Sequence, residues 1–168
     1  MLKRRVSRCF DIADLKTVAH ATVPRMFFDY ADSGSWTQST YDRNEADFGR
    51  VLFKQRVLVD MSDRSLATSI VGQPVSMPLA LAPTGLCGMQ HPNGEVLAAR
   101  AAAAAGVPFT LSTMSICSIE DVASEVGTPF WFQLYMLRDR AFMTNLIVRG
   151  LGGSQTGVTS ETDAVSRV

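Results

Sequence analysis

Histidine and cysteine are scarce in this sequence. His20 and His91 are the two imidazoles, and Cys9, Cys87 and Cys117 the three thiols, among 168 residues. So few histidines exclude a histidine-rich metal site. Cysteines that are odd in number and far apart supply neither zinc spacing nor a disulfide framework, which fits a reducing cytosol. Neither histidine stands beside a nucleophile in a triad motif. His20 reads as a mid-helix surface residue rather than a base, and His91, in a βα loop, reads as a loop residue ahead of a weak active-site candidate. Charge of one sign is also missing. Sixteen Lys and Arg balance sixteen Asp and Glu, so no long-range field draws the chain to nucleic acid or an anionic membrane. The longest apolar run, Met77 to Leu86, is too short to span a bilayer and is interrupted by Pro78, Pro83 and Thr84. The basic start (Lys3-Arg4-Arg5, Arg8) is followed by Asp11 and Asp14 rather than an apolar h-region, so the chain reads as mature from its first residue. No G-x-G-x-x-G follows a strand and no G-x-x-x-x-G-K is present. Gly150-Leu151-Gly152-Gly153 follows a helix, which removes it as a dinucleotide loop.

What is present is ordinary for a soluble globular chain: 46% hydrophobic and 19% charged residues. Asp11 caps a predicted helix to about Ala21, with Ile12, Leu15, Val18 and Ala19 on its apolar face. Pro24 opens a second helix at its first position and Gly34 ends it. A third is expected from Tyr41 to Arg50, after Ser39 and Thr40. The pattern then changes. Leu66 to Val71 and Pro74 to Ala82 read as two strands joined by Gly72-Gln73, the second apolar enough to be buried on both faces. Further on come an alanine-rich helix from Gly94 to Ala105 closed by Gly106, and a strand from Val107 to Leu111. A helix from Ser118 to Glu125 carries Ser118 and Asp121 at capping-box spacing. A strand from Phe130 to Leu134 leads to a helix from Arg138 to Arg149. The Ala101–Ala105 run needs no function, since alanine is the best helix former and packs close to a sheet. Repeated strand-helix alternation implies a parallel sheet covered by helices, as in a doubly wound sheet or a (β/α)8 barrel.

The polar residues gather where strands end. The three apolar runs close in Pro83-Thr84-Gly85, in Ser112-Thr113-Met114-Ser115 and in Gln133-Leu134-Tyr135. Parallel strand ends share one face, so hydroxyls, an amide and a phenol converge there. Capping and loop satisfaction account for any one of them more simply; all three sets together favour a ligand site. Cys87 and Cys117 lie near it, without a basic neighbour to activate a thiol, and read as packing residues.

Phe28 to Gly34 (FDYADSG), Met77 to Gly88 (MPLALAPTGLCG), Leu111 to Ser115 (LSTMS), Ser118 to Ala123 (SIEDVA) and Trp131 to Arg140 (WFQLYMLRDR) resemble, in this order, the opening of the FMN-dependent 2-hydroxy-acid dehydrogenases and oxidases. The wording is most similar to the bacterial respiratory L-lactate dehydrogenases, with mandelate-type enzymes next. The resemblance runs from about Asp11 to Arg149. It implies an α/β fold: the N-terminal part of a (β/α)8 TIM barrel, preceded by short helices and a β-hairpin. Residues 1–65 would form the pre-barrel segment, 66–149 about three βα units, and 150–168 a polar tail outside the family pattern. FMN is the implied cofactor. Pro83, Thr84 and Gly85 would lie along the flavin, and Ser112 and Gln133 would hydrogen-bond its ring. Tyr30 would bind the substrate carboxylate and Tyr135 would contact the substrate near its hydroxyl. Met114 falls where some relatives carry an aromatic residue, and a flexible thioether there suits a small or adaptable substrate. The implied reaction oxidises a 2-hydroxy acid, L-lactate favoured, to the 2-keto acid. For the intact enzyme the family implies a respiratory-chain electron acceptor, a homo-oligomer, and a cytoplasmic location with peripheral attachment to the inner membrane.

The family's base histidine, carboxylate-binding arginine, flavin-side lysine and late phosphate loop fall beyond these motifs, so no catalytic residue is assigned and the chain alone is expected to be inactive. After Arg149 the family pattern breaks into Gly, Ser and Thr, from which no buried strand can be drawn. That break suggests a frameshift or early stop near Gly150, leaving an unpaired apolar sheet edge. Two other readings compete. One is a non-catalytic remnant that binds no flavin and persists by pairing with another chain. The other is an unrelated barrel of the isomerase or aldolase kind, against which stand strand ends without lysine or carboxylate.

Overall fold

The computed structural model describes residues 6–152 and 159–160, with the backbone alone for 151, 152, 159 and 160. The chain divides into two compact units, Met1–Arg64 and Ser65–Val168.

The first unit is helical. Helix α1 spans Ile12–Thr22. Asp11 caps it by accepting from the Asp14 N–H at 2.8 Å, and Asp14 answers by accepting from the Phe10 N–H at 2.9 Å, a reciprocal cap that satisfies two otherwise orphaned donors. Its expected apolar face is not buried: Ile12 is 79% exposed and no residue of α1 is in the core. Helix α2, Arg25–Ala31, takes Pro24 as its cap rather than its first helical residue and stops before Gly34. Helix α3, Ser39–Ala46, absorbs the expected cap residues, because Gln38 holds the left-handed cap position (φ 58°). A 3₁₀ turn, Asp47–Arg50, completes it. Asp32, just past α2, links the three helices. It pairs with Lys16 of α1 at 2.6 Å and accepts from the Tyr41 hydroxyl of α3 at 2.9 Å. The Lys16 hydrogen bond, followed by that of Tyr41, holds the Asp32 carboxyl below the usual carboxylate range.

The second unit begins with an antiparallel hairpin of β1, Thr68–Ile70, and β2, Gln73–Val75. Val71 and Gly72 both have positive φ (50° and 77°), the signature of a type I′ turn, so the turn sits one residue earlier than Gly72-Gln73. The predicted long strand from Pro74 to Ala82 does not exist as one element. Pro74 and Pro78 lack the N–H a ladder needs. Ser76 turns aside, donating its N–H to the Gly106 carbonyl at 2.9 Å and its hydroxyl to that of Ala105 at 2.5 Å. Leu81 alone re-enters the sheet, as a single parallel bridge to Phe109, and Leu79 and Ala82 are exposed rather than buried on both faces.

The alternation that follows is as expected in kind. A short helix α4, Cys87–Gln90, precedes α5, Gly94–Ala105, which closes on Gly106 at φ 68°. Strand β3 is Thr110–Ser112 and helix α6 is Ile119–Val126, where Ser118 and Asp121 complete the capping box. Strand β4 is Trp131–Gln133 and helix α7 is Arg140–Gly152. Thr159–Ser160 then form β5, parallel to β4. Against expectation the tail thus supplies a strand; backbone pairing does not require apolar side chains, and threonine suits an extended conformation. The rest of the tail, residues 153–158 and 161–168, lies outside the described residues, as does the basic cluster at 3–5.

The order Leu81, β3, β4, β5 is parallel and never reverses. A doubly wound sheet would turn back at a switch point, whereas a barrel adds each strand on the same side. The arc is the opening part of a (β/α)8 barrel. Its core lies between sheet and helices: Leu111 and Phe132 from the strands meet Ala99 and Ala102 of α5, Val122 of α6 and Leu146 of α7. Ala99 and Ala102 are almost fully buried, so the alanine run does bring its helix close to the sheet.

Candidate functional site

The ends of neighbouring strands bring Gly85, Ser112 and Gln133 together. In-register pairing of β3 with β4 sets Ser112 opposite Gln133. The Ser112 hydroxyl donates to Gln133 Oε1 at 3.3 Å and accepts from the Met114 N–H at 3.1 Å. Gln133 Oε1 also receives the Thr113 N–H at 3.4 Å. With its carbonyl oxygen so engaged, the Gln133 amide keeps its nitrogen end for donation. It offers two N–H donors at the strand end, where an amide held in one orientation can recognise an acceptor on a ligand.

Thr113 locks the same region from the backbone side. Its N–H and hydroxyl both donate to the Gln133 carbonyl, at 3.0 and 2.5 Å, and its hydroxyl accepts from the Tyr135 N–H at 3.1 Å. Tyr135 therefore leaves β4 on a fixed backbone while its side chain stays 52% exposed. Met114, similarly exposed, borders the turn that holds Pro83, Thr84 and Gly85. Pro83 and Thr84 are exposed; Gly85 is half-buried. A methyl built on Gly85 would come within 3.1 Å of Met114 Cβ and 3.8 Å of Ser112 Oγ, so the bare backbone there lets the turn lie flat against β3. The Leu86 N–H donates to the Met114 carbonyl at 2.9 Å, which zips the two loops together. Tyr30 lies in α2 of the first unit and is exposed.

Glu95 was not singled out by the sequence. It is 1% exposed, on the core side of α5 with Ala99 and Ala102. That i, i+4, i+7 stripe was the available signal, an acid where an apolar residue is expected. Its Oε1 accepts from the Gly88 N–H at 3.2 Å and the Ile116 N–H at 2.9 Å. Burial pushes its carboxyl up, but the N–H groups of Ile116, of Glu95 itself and of Gly88, with the Cys117 thiol, outweigh burial and hold it below its ordinary value. Burial, then the Glu95 carboxylate, pushes the Cys87 and Cys117 thiols up, which leaves them protonated and unreactive. His91 contacts the Pro92 carbonyl at 2.8 Å, and His20 packs edge-on against Phe28. No group of three or more potential metal ligands exists among the described residues, and no helix there is long and apolar enough to cross a membrane.

Residues 19–165 match the protein family described as FMN-dependent dehydrogenase. Over 151 residues the chain is 47% identical to an L-lactate dehydrogenase of Xanthomonas campestris pv. campestris (strain B100), covering 90% of this chain and 39% of that protein. A soluble mutant of the membrane-associated (S)-mandelate dehydrogenase from Pseudomonas putida superimposes with a TM-score of 0.83 at 34% identity, over 96% of this chain and 49% of that one. An oxidized active mutant of (S)-mandelate dehydrogenase gives 0.81 at 38% identity, over 90% and 42%. The chain spans less than half the length of each of these relatives.

Proposed function

The chain belongs to the FMN-dependent dehydrogenase family, and from that premise we propose that it supplies the flavin-facing opening of an enzyme that oxidises an L-2-hydroxy acid, L-lactate favoured, to the 2-keto acid. The observation that carries this reading is the Ser112–Gln133 pair beside the bare backbone of Gly85. A flat, acceptor-rich ring needs a surface without side chains and a few directed donors, and these residues offer both. Bound FMN would supply the two-electron acceptor. Pro83, Thr84 and Gly85 line the ring, Gln133 donates to it through its amide, and Ser112 fixes that amide's orientation. Tyr135 and Tyr30 orient the substrate through their hydroxyls.

In the complete enzyme this proposal includes a homo-oligomer and a respiratory-chain electron acceptor, reached from the cytoplasmic face of the inner membrane. The L-lactate dehydrogenase relative supports the substrate. The mandelate dehydrogenase described as membrane-associated supports the location. The base and carboxylate-binding arginine implied by the family resemblance lie outside the assigned residues, so the 168-residue chain by itself is expected to bind flavin without turning over.

Titrating FMN with the purified chain, and following loss of free flavin fluorescence, tests the reading. The expected result is saturable binding that Gln133→Leu weakens by about tenfold, since one charge-free donor pair is worth on the order of 1 kcal/mol or more in a dry site. L-lactate with an artificial electron acceptor should give no reduction. Absence of flavin binding by a folded chain would sink the proposal in favour of a non-catalytic remnant.

A further inference from the structure

Glu95 is a buried carboxylate with no cation paired to it among the described residues. Among them its Oε2 accepts no hydrogen bond, although the Cys117 thiol adjoins the carboxylate. An arrangement that leaves one oxygen of a buried charge unsatisfied is costly, so Oε1 must do something the fold needs. It accepts two N–H donors from two different βα units: Gly88, after the first parallel strand, and Ile116, after the second. Bonds from N–H groups to a carboxylate are among the stronger ones, and the N-terminal turn of α5 favours its charge.

The two loops it joins are those that carry the proposed flavin contacts. Gly85 lies three residues before Gly88, and Ser112 four before Ile116. Between them the Leu86 N–H reaches the Met114 carbonyl, at the left-handed backbone of Leu86 (φ 57°). A methyl on Gly88 would come within 2.7 Å of Ile116 Cβ, and one on Gly94 within 2.8 Å of the Cys87 carbonyl oxygen, so the loops and the start of α5 are already as close as backbone allows. We propose that Glu95 is a positioning residue for the flavin face: a buried clamp that sets the spacing between the Gly85 turn and the Ser112–Met114 loop. The clamp's role in flavin binding rests on the function proposed above; its effect on the loops does not.

Three variants of the full chain separate the alternatives. Glu95→Gln keeps an acceptor at Oε1 and is expected to bind FMN within about threefold of the parent. Glu95→Leu removes the acceptor, and Glu95→Asp keeps the charge while withdrawing it by one methylene. Both are expected to lose about tenfold or more, because two N–H groups are left without a partner. Rescue by glutamine but not by aspartate excludes a merely charged residue, and the loss in Glu95→Leu, which fills the space without an acceptor, excludes a merely space-filling one. Should Glu95→Leu fail to fold, Glu95→Met, which matches glutamate in length but offers no oxygen acceptor, takes its place against Glu95→Gln. Amide exchange at Gly88 and Ile116 is read on the same samples without flavin. It is expected to be slow in the parent and Glu95→Gln, and fast in the other two. Equal FMN affinity in all variants, or equal exchange at both amides, overturns the proposal. A parent that binds no FMN but protects both amides in this Glu95-dependent way overturns the flavin reading while the clamp stands.

Discussion

Gly88 shows how little space separates the two strand-end loops. The nearest atoms to a methyl there are Ile116 Cβ at 2.7 Å and Cγ2 at 2.9 Å. Ile116 Cβ is fixed to the backbone and cannot swing away as a side-chain tip could. Gly88→Ala is therefore expected to destabilise the second unit by about 1–3 kcal/mol, the usual cost of forcing a methyl into a packed contact. Gly49, with nothing within 4 Å and no left-handed φ, is the matched control, and its alanine variant should be neutral or slightly stabilising. Urea denaturation of the two variants checks this; equal midpoints would mean that the loops can part without cost. Residues of this kind differ in how legible they are. Ser112 and Gln133 can be read from sequence because each is the polar residue that ends an apolar run, and position along a parallel strand fixes which face it reaches. Glu95 is harder, since it lies in a helix whose alanines already explain themselves. Its meaning depends on two N–H groups contributed by loops seven and twenty-one residues away.

Helices α6 and α7 are tied by a bidentate pair. Arg149 Nε donates to Glu120 Oε1 at 2.7 Å and Nη2 to Oε2 at 2.6 Å, a fork geometry that suits guanidinium and carboxylate. The Arg149 hydrogen bonds hold the Glu120 carboxyl at about 2, well under its ordinary 4.5. A lowered acid stabilises above its unfolded value, and the contribution disappears as pH falls through the folded value. Both side chains are about half exposed, so solvent screening limits the pair to about 1 kcal/mol or less. Arg149→Met, which keeps the stem, should lower stability by that amount near about pH 7, and by progressively less from about pH 4.5 toward pH 2. A stability gap that persists unchanged to the acid end would assign the loss to packing of the stem instead. At this scale the sequence is informative where an element has its own punctuation. Gly106 closes α5 and Ser118 opens α6 at the residues expected. The segment from Pro74 to Ala82 misleads because apolar character is not a ladder: two prolines withhold donors and Ser76 pairs with the end of α5. The first unit's helices were legible as helices but not in their burial, because periodicity names an apolar face without saying what covers it.

The core of the second unit is drawn from three helices and two strands, yet many large apolar side chains elsewhere stay uncovered. Phe53 and Trp36 are fully exposed, and Phe48, Val51, Leu52, Val57 and Leu58 add to them along one stretch of chain. Isolated exposed apolar residues are common on any protein, but a run of this density is the surface of an interface or an aggregation site. The chain spans 39% of the length of the L-lactate dehydrogenase it resembles. With a formal charge of zero, no net repulsion keeps copies of this chain apart in solution. The 168-residue chain is accordingly expected to self-associate and to bind the apolar dye anilinonaphthalene sulfonate. Light scattering coupled to size exclusion would then give a mass above one chain that rises with concentration. Replacing Phe53 and Leu58 together by lysine should lower both the mass and the dye signal, since neither residue contributes to the buried core. If the parent chain instead runs as a dye-negative monomer across that range, this stretch is covered in solution, and the exposed residues would no longer mark a surface that needs a partner.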